Sequence, residues 1–168
     1  EQTLLDFLMA SDGRAIVSLE VLSSKNVREA IQHPFSIISS NGSGYGIEHK
    51  ESGELVHPRS FGTFPKVMRE YVREEKILSW EEAIHKMTGK PADVFRLEKR
   101  GRLMKGHVAD IVVFDPNTVT DNATLENPYQ YATGIDTVII NGELALTNGT
   151  ILPLKRGKIL MPRRGWFS

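Results

Sequence analysis

The sequence predicts an α/β portion followed by an all-β portion. Three observations carry this: a strand–helix–strand pattern running into a glycine-rich loop, two successive helices, and a change after Gly101 to short β-rich runs separated by turns. The expected division is residues 1–100 for the α/β part, 101–165 for the β part, and 166–168 as a tail.

Taken in order, Thr3–Met9 is apolar at helical spacing and is stopped by Ser11-Asp12-Gly13. Ala15–Val21 is short and rich in β-branched residues, so it reads as a buried strand. Ser24 is placed to cap a helix from Lys25 to about Gln32, with Val27, Ala30 and Ile31 inward, and His33-Pro34 ends it. Phe35–Ser39 reads as the next buried strand. A long loop with five glycines then runs from Asn41 to about Phe64, a length usual for functional or disordered segments. Pro65 is expected to open a helix reaching Glu75, with Val67, Met68, Tyr71 and Val72 as its apolar stripe. Ser79 and Glu82 form a capping-box pair for a second helix with Ala83, Ile84 and Met87 inward, and Ala92–Phe95 begins a last short one.

Beyond this point the expected strands are Gly101–Leu103, Asp110–Phe114, Thr137–Ile140, Leu144–Thr147 and Lys158–Leu160. Asn141-Gly142 and Asn148-Gly149 are hairpin signals between them. Residues 162–168, basic and then aromatic, are expected to be loose.

Composition narrows the function. The 168 residues carry 21 basic and 21 acidic side chains, so no net field draws nucleic acid or an anionic membrane. No apolar run reaches the roughly 20 residues that cross a bilayer, and no signal-peptide pattern opens the chain. The chain has no cysteine, which removes disulfides, thiolate metal ligands and a cysteine nucleophile. A cytoplasmic protein is the expectation. The first residue is Glu1, and an opening that reads as mid-domain helix suggests a fragment or a trimmed chain.

Three stretches carry a family likeness: Gly101-Arg102-Leu103-Met104-Lys105-Gly106-His107-Val108-Ala109-Asp110-Ile111-Val112-Val113-Phe114-Asp115, His57-Pro58-Arg59-Ser60-Phe61-Gly62-Thr63-Phe64-Pro65, and Ile135-Asp136-Thr137-Val138-Ile139-Ile140-Asn141-Gly142. The first resembles the segment where amidohydrolase-superfamily chains leave their barrel. The other two are similar to segments of D-aminoacylases, also called N-acyl-D-amino-acid deacylases. The resemblance implies the C-terminal part of a (β/α)8 metal-dependent hydrolase barrel, then a small β-sandwich. A full barrel takes roughly 200 residues or more, and only 100 precede Gly101. Missing barrel strands would leave an apolar edge. A second copy or a complementing chain is therefore the expected cover, unless the segment packs differently.

The same resemblance implies hydrolysis of an amide by water activated on zinc, with an Asp after the last barrel strand accepting the proton. In this sequence the equivalent stretch is Ile38-Ser39-Ser40-Asn41-Gly42, so Asn41 occupies the catalytic position. An amide can hydrogen-bond water but cannot accept its proton. Ser11-Asp12-Gly13 follows a helix-like run and lies too far before His57 to replace it. Asn41 could equally just turn the chain, and its pairing with Gly42 opens it to deamidation.

By resemblance Arg59 would hold the α-carboxylate of an N-acyl-D-amino acid through its guanidinium fork, with His57 and Ser60 beside it. The plain alternative is a surface arginine paired with Glu48, Glu51 or Glu54. The loop from Asn41 to Arg59 is longer than the family pattern. Resemblance places the metal ligands upstream of Glu1, so zinc is expected in the complete enzyme and not on this chain. Of the five histidines, His33, His85 and His107 read as structural or exposed. His49 and His57 share the loop with Glu48, Glu51 and Glu54, where only an adventitious site is expected, since a genuine one needs three or four converging ligands. The Gly42–Gly46 run lacks both phosphate-loop patterns. An amidohydrolase fragment inactive alone is the leading expectation. A non-catalytic binding or assembly module and a complementing half are its rivals.

Overall fold

A computed structural model describes residues 2–13, 21–153 and 157–161. Its elements are α1 (Gln2–Ala10), α2 (Ser24–Gln32), a 3-10 turn (Ile47–Ser52), α3 (Arg59–Lys66), a π-helical stretch (Val67–Glu74), α4 (Trp80–Met87), α5 (Gly89–Val94), and strands β1 (Ile111–Phe114), β2 (Ile135–Ile140), β3 (Glu143–Thr147) and β4 (Thr150–Ile151). No helix among the described residues is long and apolar enough to cross a membrane.

The helical core follows the expected stripes. Val67, Tyr71, Val72, Leu78 and Ala83 are buried together, and Val27, Ile31, Ile38, Ile77, Trp80 and Met87 pack on them. Full burial of one such side chain contributes about 1.5–3 kcal/mol, so this cluster is what holds α2, the π stretch and α4 in place. Ala30, expected inward, is exposed. The capping box of α4 forms as expected: Ser79 Oγ accepts the Glu82 amide at 3.1 Å, and Glu82 returns to the Ser79 amide at 3.0 Å.

Several expected elements differ. α2 starts at Ser24 itself, with Ser23 at the N-cap and no side-chain cap bond, because Ser23 already has the extended backbone of a capping residue. Phe35–Ser39 forms no strand. Ile38 gives its amide to the Lys86 carbonyl, and Phe35 is exposed, because no strand among the described residues lies alongside to pair with it. Pro65 does not open a helix but lies inside one that starts six residues earlier. Proline has no amide hydrogen to give, and the α-helix passes into wider i to i+5 turns just after it, with Glu75 bonding back to Glu70 at 2.8 Å.

Gly101–Leu103 and Lys158–Leu160 are also not strands. Gly101 is instead a close-contact glycine: its φ is +74°, and a Cβ there would meet the Thr88 carbonyl oxygen at 2.6 Å. Leu103 and Ile159 are exposed, so neither segment buries the face a strand would need. The expected strand over Ala15–Val21 and the loose tail fall almost wholly outside the described residues.

The β portion is one antiparallel sheet in the order β1-β2-β3-β4. Asn141-Gly142 and Asn148-Gly149 turn its two hairpins, all four residues having positive φ as a type I′ turn requires. The Gly101–Asp115 segment proves structural. Asp110 accepts the Asn141 amide at 2.8 Å and pairs with Arg100, whose second nitrogen donates to Asn141 Oδ1 at 2.9 Å. Asp115 accepts the Asn117 amide at 2.8 Å, which together with its other bonds holds its carboxyl below the usual carboxylate range. Removing the Asp110 carboxylate strips the hairpin turn of its clamp. Asp110→Ala is therefore expected to lower the unfolding free energy by about 1–3 kcal/mol, with Asp110→Asn intermediate. Urea midpoints check this, and an Asp110→Ala protein as stable as wild type would contradict it.

Candidate functional site

The helix α3 begins in an unusual way. Pro58 stands at its N-cap with helical backbone angles, and no side chain of the N-cap residue can accept a bond. The preceding residue does the work instead: His57 Nδ1 accepts the Arg59 amide at 3.1 Å. Only a neutral imidazole can accept there. Desolvation, then the charges of Arg59 and Lys66, push the His57 pKa down and favour that form. The next amides, Ser60, Phe61 and Gly62, go to the His57 and Pro58 carbonyls.

The glycine-rich loop comes back to this helix start. Ser60 Oγ accepts the Ser43 amide at 3.3 Å. Gly42 lies so close that a Cβ on it would fall 2.8 Å from Ser60 Cα. Asn41, with φ of +46°, turns the chain into that contact in the left-handed region that asparagine tolerates. Thus the loop that begins at Asn41 is brought, through Gly42 and Ser43, against the Arg59-Ser60 start of α3, 19 positions on from Asn41 to Ser60 in sequence. Ser60 is used to hold the loop, a role not foreseen for it.

The Arg59 guanidinium is exposed and makes no ion pair or hydrogen bond among the described residues. The alternative of a surface pair with Glu48, Glu51 or Glu54 does not form; Glu54 pairs with His49 at 2.9 Å. Gly62, in the same segment, is buried because α3 passes close to the 121 region: a Cβ there would meet Asp121 Cβ at 3.0 Å. Arg69 ties the same two regions, donating to Asp121 at 2.7 Å and Glu74 at 2.8 Å.

The rest of the long loop is fastened by tyrosines that the sequence reading missed. Tyr129 donates its hydroxyl proton to the Glu54 carbonyl at 2.7 Å, and Tyr131 Oη accepts the Ile47 amide at 3.3 Å. Phe61 packs against both rings, at 5.7 and 5.9 Å, and His49 lies between Tyr45 and Tyr129. The available signal was the Tyr129-Gln130-Tyr131 pair in an otherwise polar stretch, two of the chain's four tyrosines.

The described residues do not fit a zinc site. His49 is engaged by Glu54, and His57 Nδ1 by the Arg59 amide. His107 Nδ1 is buried without a hydrogen-bond partner, but no three His, Asp or Glu side chains converge there or elsewhere among the described residues. A groove of about 600 Å³ between the π stretch, α4 and Pro116-Asn117 involves none of the site residues named above.

The amidohydrolase family profile Amidohydro_3 matches residues 54–145. An N-acyl-D-aspartate deacylase of Alcaligenes xylosoxydans xylosoxydans is 38% identical over 142 residues, 84% of this chain and 27% of its own length. A D-aminoacylase of the same organism is 47% identical over 97 residues, 58% of this chain and 19% of its own. Among solved structures, a D-aminoacylase superimposes with a TM-score of 0.73 at 36% identity, covering 83% of this chain and 28% of that one. An N-acyl-D-glutamate deacylase from Bordetella bronchiseptica, complexed with zinc and a phosphonate inhibitor, gives 0.66 at 37%, covering 74% and 25%. The chain spans about a quarter of the length of these relatives.

Proposed function

Because the chain belongs to the amidohydrolase family, with D-aminoacylases and N-acyl-D-amino-acid deacylases as its relatives, we propose that it is the C-terminal part of a hydrolase of non-peptide C–N amide bonds. In the complete protein the substrate is an N-acyl-D-amino acid. The observation that carries this reading is the Arg59 guanidinium, exposed and without an ion pair among the described residues, at the start of α3.

A guanidinium in that state suits a planar carboxylate, which it can hold through two parallel N–H donors. His57, neutral, orients the first turn that carries Arg59, and Ser60 holds the loop against it. Residues 1–100 supply the last barrel elements, and residues 101–165 the sandwich of which β1–β4 is one sheet. Zinc belongs to the complete enzyme, on ligands outside this chain. Asn41 in the position of the general base leaves the chain inactive alone. A second reading, a non-catalytic binding or assembly module, is favoured by Asn41 itself, whose positive φ suits a turn.

The test is co-expression with the upstream segment of an N-acyl-D-aspartate deacylase, followed by assays of bound zinc and of N-acyl-D-amino-acid hydrolysis. Restoration of bound zinc, with hydrolysis gained when Asn41→Asp is introduced, is expected for the hydrolase, and restoration of neither would count against it in favour of the binding module. Asn41→Asp is expected to raise turnover in the complemented enzyme. Arg59→Ala is expected to raise KM roughly ten- to hundredfold, the loss of a charge-assisted hydrogen-bond pair, with kcat changed less. An unchanged KM would remove Arg59 from substrate recognition.

A further inference from the structure

The chain contains three Asn-Gly pairs, at 41–42, 141–142 and 148–149, and all three asparagines have positive φ. Their surroundings differ. Asn141 accepts from Arg100 through Oδ1 and gives its amide to Asp110, while the Gly142 amide is bonded to the Ala109 carbonyl at 2.9 Å. Asn148 gives its amide to the Asp136 carbonyl at 2.9 Å inside the β3–β4 hairpin. Asn41 is exposed, lies outside any helix or strand, and its side chain makes no hydrogen bond among the described residues.

We propose that Asn41 is a spontaneous deamidation site, converted to aspartate or isoaspartate in the folded protein. The Gly42 nitrogen attacks Asn41 Cγ, the Cγ–Nδ2 bond breaks, and the side-chain nitrogen leaves as ammonia with the proton released from Gly42. The product is a five-membered succinimide. Water then adds to one of its two carbonyls. Opening at the side-chain carbonyl gives aspartate with the original backbone, and opening at the main-chain carbonyl gives isoaspartate. No oxidant, metal or enzyme is needed. Glycine matters because no side chain crowds the attacking nitrogen, and the Gly42 amide is held only by the adjacent Ser40 hydroxyl, at 3.1 Å.

Cyclisation at Asn141 must first break the bond from Arg100 and detach Gly142 from Ala109, whereas at Asn41 the one hydrogen bond held by the reacting groups, among the described residues, is the local contact of the Gly42 amide to Ser40. The conversion also matters for the site. It places a negative charge beside Gly42, the residue packed against Ser60, on the segment that meets the helix start bearing Arg59. The proposal does not depend on the proposed activity, since its readout is mass and not turnover.

The experiment is incubation of the folded chain in mildly alkaline buffer at body temperature, with tryptic peptide mapping over several days and fragment ions locating each conversion. Asn41, in the peptide Glu29–Lys50, is expected to convert at least about tenfold faster than Asn141, the effect of losing one charged hydrogen bond of protection. In strong denaturant the two rates should converge, since both are then bare Asn-Gly pairs. The Asn41→Gln protein should show no gain in that peptide. An intact Asn41, an Asn41 no faster than Asn141, or a rate gap that persists in denaturant would each overturn the proposal.

Discussion

Gly134→Ala is expected to lower the unfolding free energy by about 3–5 kcal/mol, from a left-handed backbone penalty added to overpacking. Gly134 has φ of +77°, and a Cβ there would sit 2.4 Å from the Val119 nitrogen and 2.5 Å from its Cα. Both of these are backbone atoms, so no side chain can swing aside. Val119 is fully buried, and the segment leading through Gly134 into β2 is locked to it: Thr133 and Thr120 exchange two backbone bonds of 3.1 Å, and the Gly134 carbonyl accepts the Asp115 amide at 2.9 Å. Gly142→Ala is the matched control. Its φ is +84° but nothing lies within 4 Å of the added carbon, so only the backbone penalty of about 1–2 kcal/mol applies. Urea unfolding of the two variants separates the terms. Equal and mild losses would show that the 115–120 segment yields, and that the close approach is not what holds it.

Lys86→Met is expected to lower stability by about 2–4 kcal/mol, since it orphans buried acceptors while keeping an apolar stem of similar length. Lys86 is 6% exposed, the one charged residue buried among the described residues. Its Nζ donates to the His33 carbonyl at 2.6 Å and to Ser36 Oγ at 2.8 Å, joining the end of α2 to α4. Burial, then the neighbouring Lys90 charge, lowers its pKa below the ordinary lysine value. The folded state therefore binds fewer protons than the unfolded state between the two pKa values, so stability rises with pH across that window. Subtracting the Lys86→Met profile from that of wild type isolates this rise. A difference that is flat, or that falls with pH, would show that the ammonium is not desolvated in the fold.

Local chemistry explains which elements were legible. Ser79 and Glu82 cap α4 through bonds three residues apart, and Asn141-Gly142 and Asn148-Gly149 turn hairpins through their own backbone preferences. These features need no distant partner. The apolar stripe of Val67, Tyr71 and Val72 was legible for the same reason, helical periodicity being a property of neighbouring residues. Phe35–Ser39 and Gly101–Leu103 were misread because a strand exists only when another strand pairs with it. Ile38 gives its amide to the Lys86 carbonyl, and Gly101 packs its backbone against Thr88 with no room for a side chain. Pro65 was misread because its cost inside a helix is offset by a change to wider turns that no propensity shows.

For the candidate site, the residue types of the Gly101–Asp115 segment sufficed to place the chain among amidohydrolases and those of His57–Pro65 to liken it to D-aminoacylases, because those side chains stand next to one another along the chain. They also made Asn41 conspicuous, as an amide where a carboxylate was expected. Only the tertiary structure decided that Gly42 and Ser43 reach the start of α3, that Ser60 is spent on holding the loop, that Tyr129 and Tyr131 fasten it, and that Arg59 is left without an ion pair among the described residues. The physical reason is distance along the chain. Caps, turns and stripes are set by neighbours within a few residues. A loop's anchor points and an arginine's lack of a partner depend on which remote groups packing brings within reach.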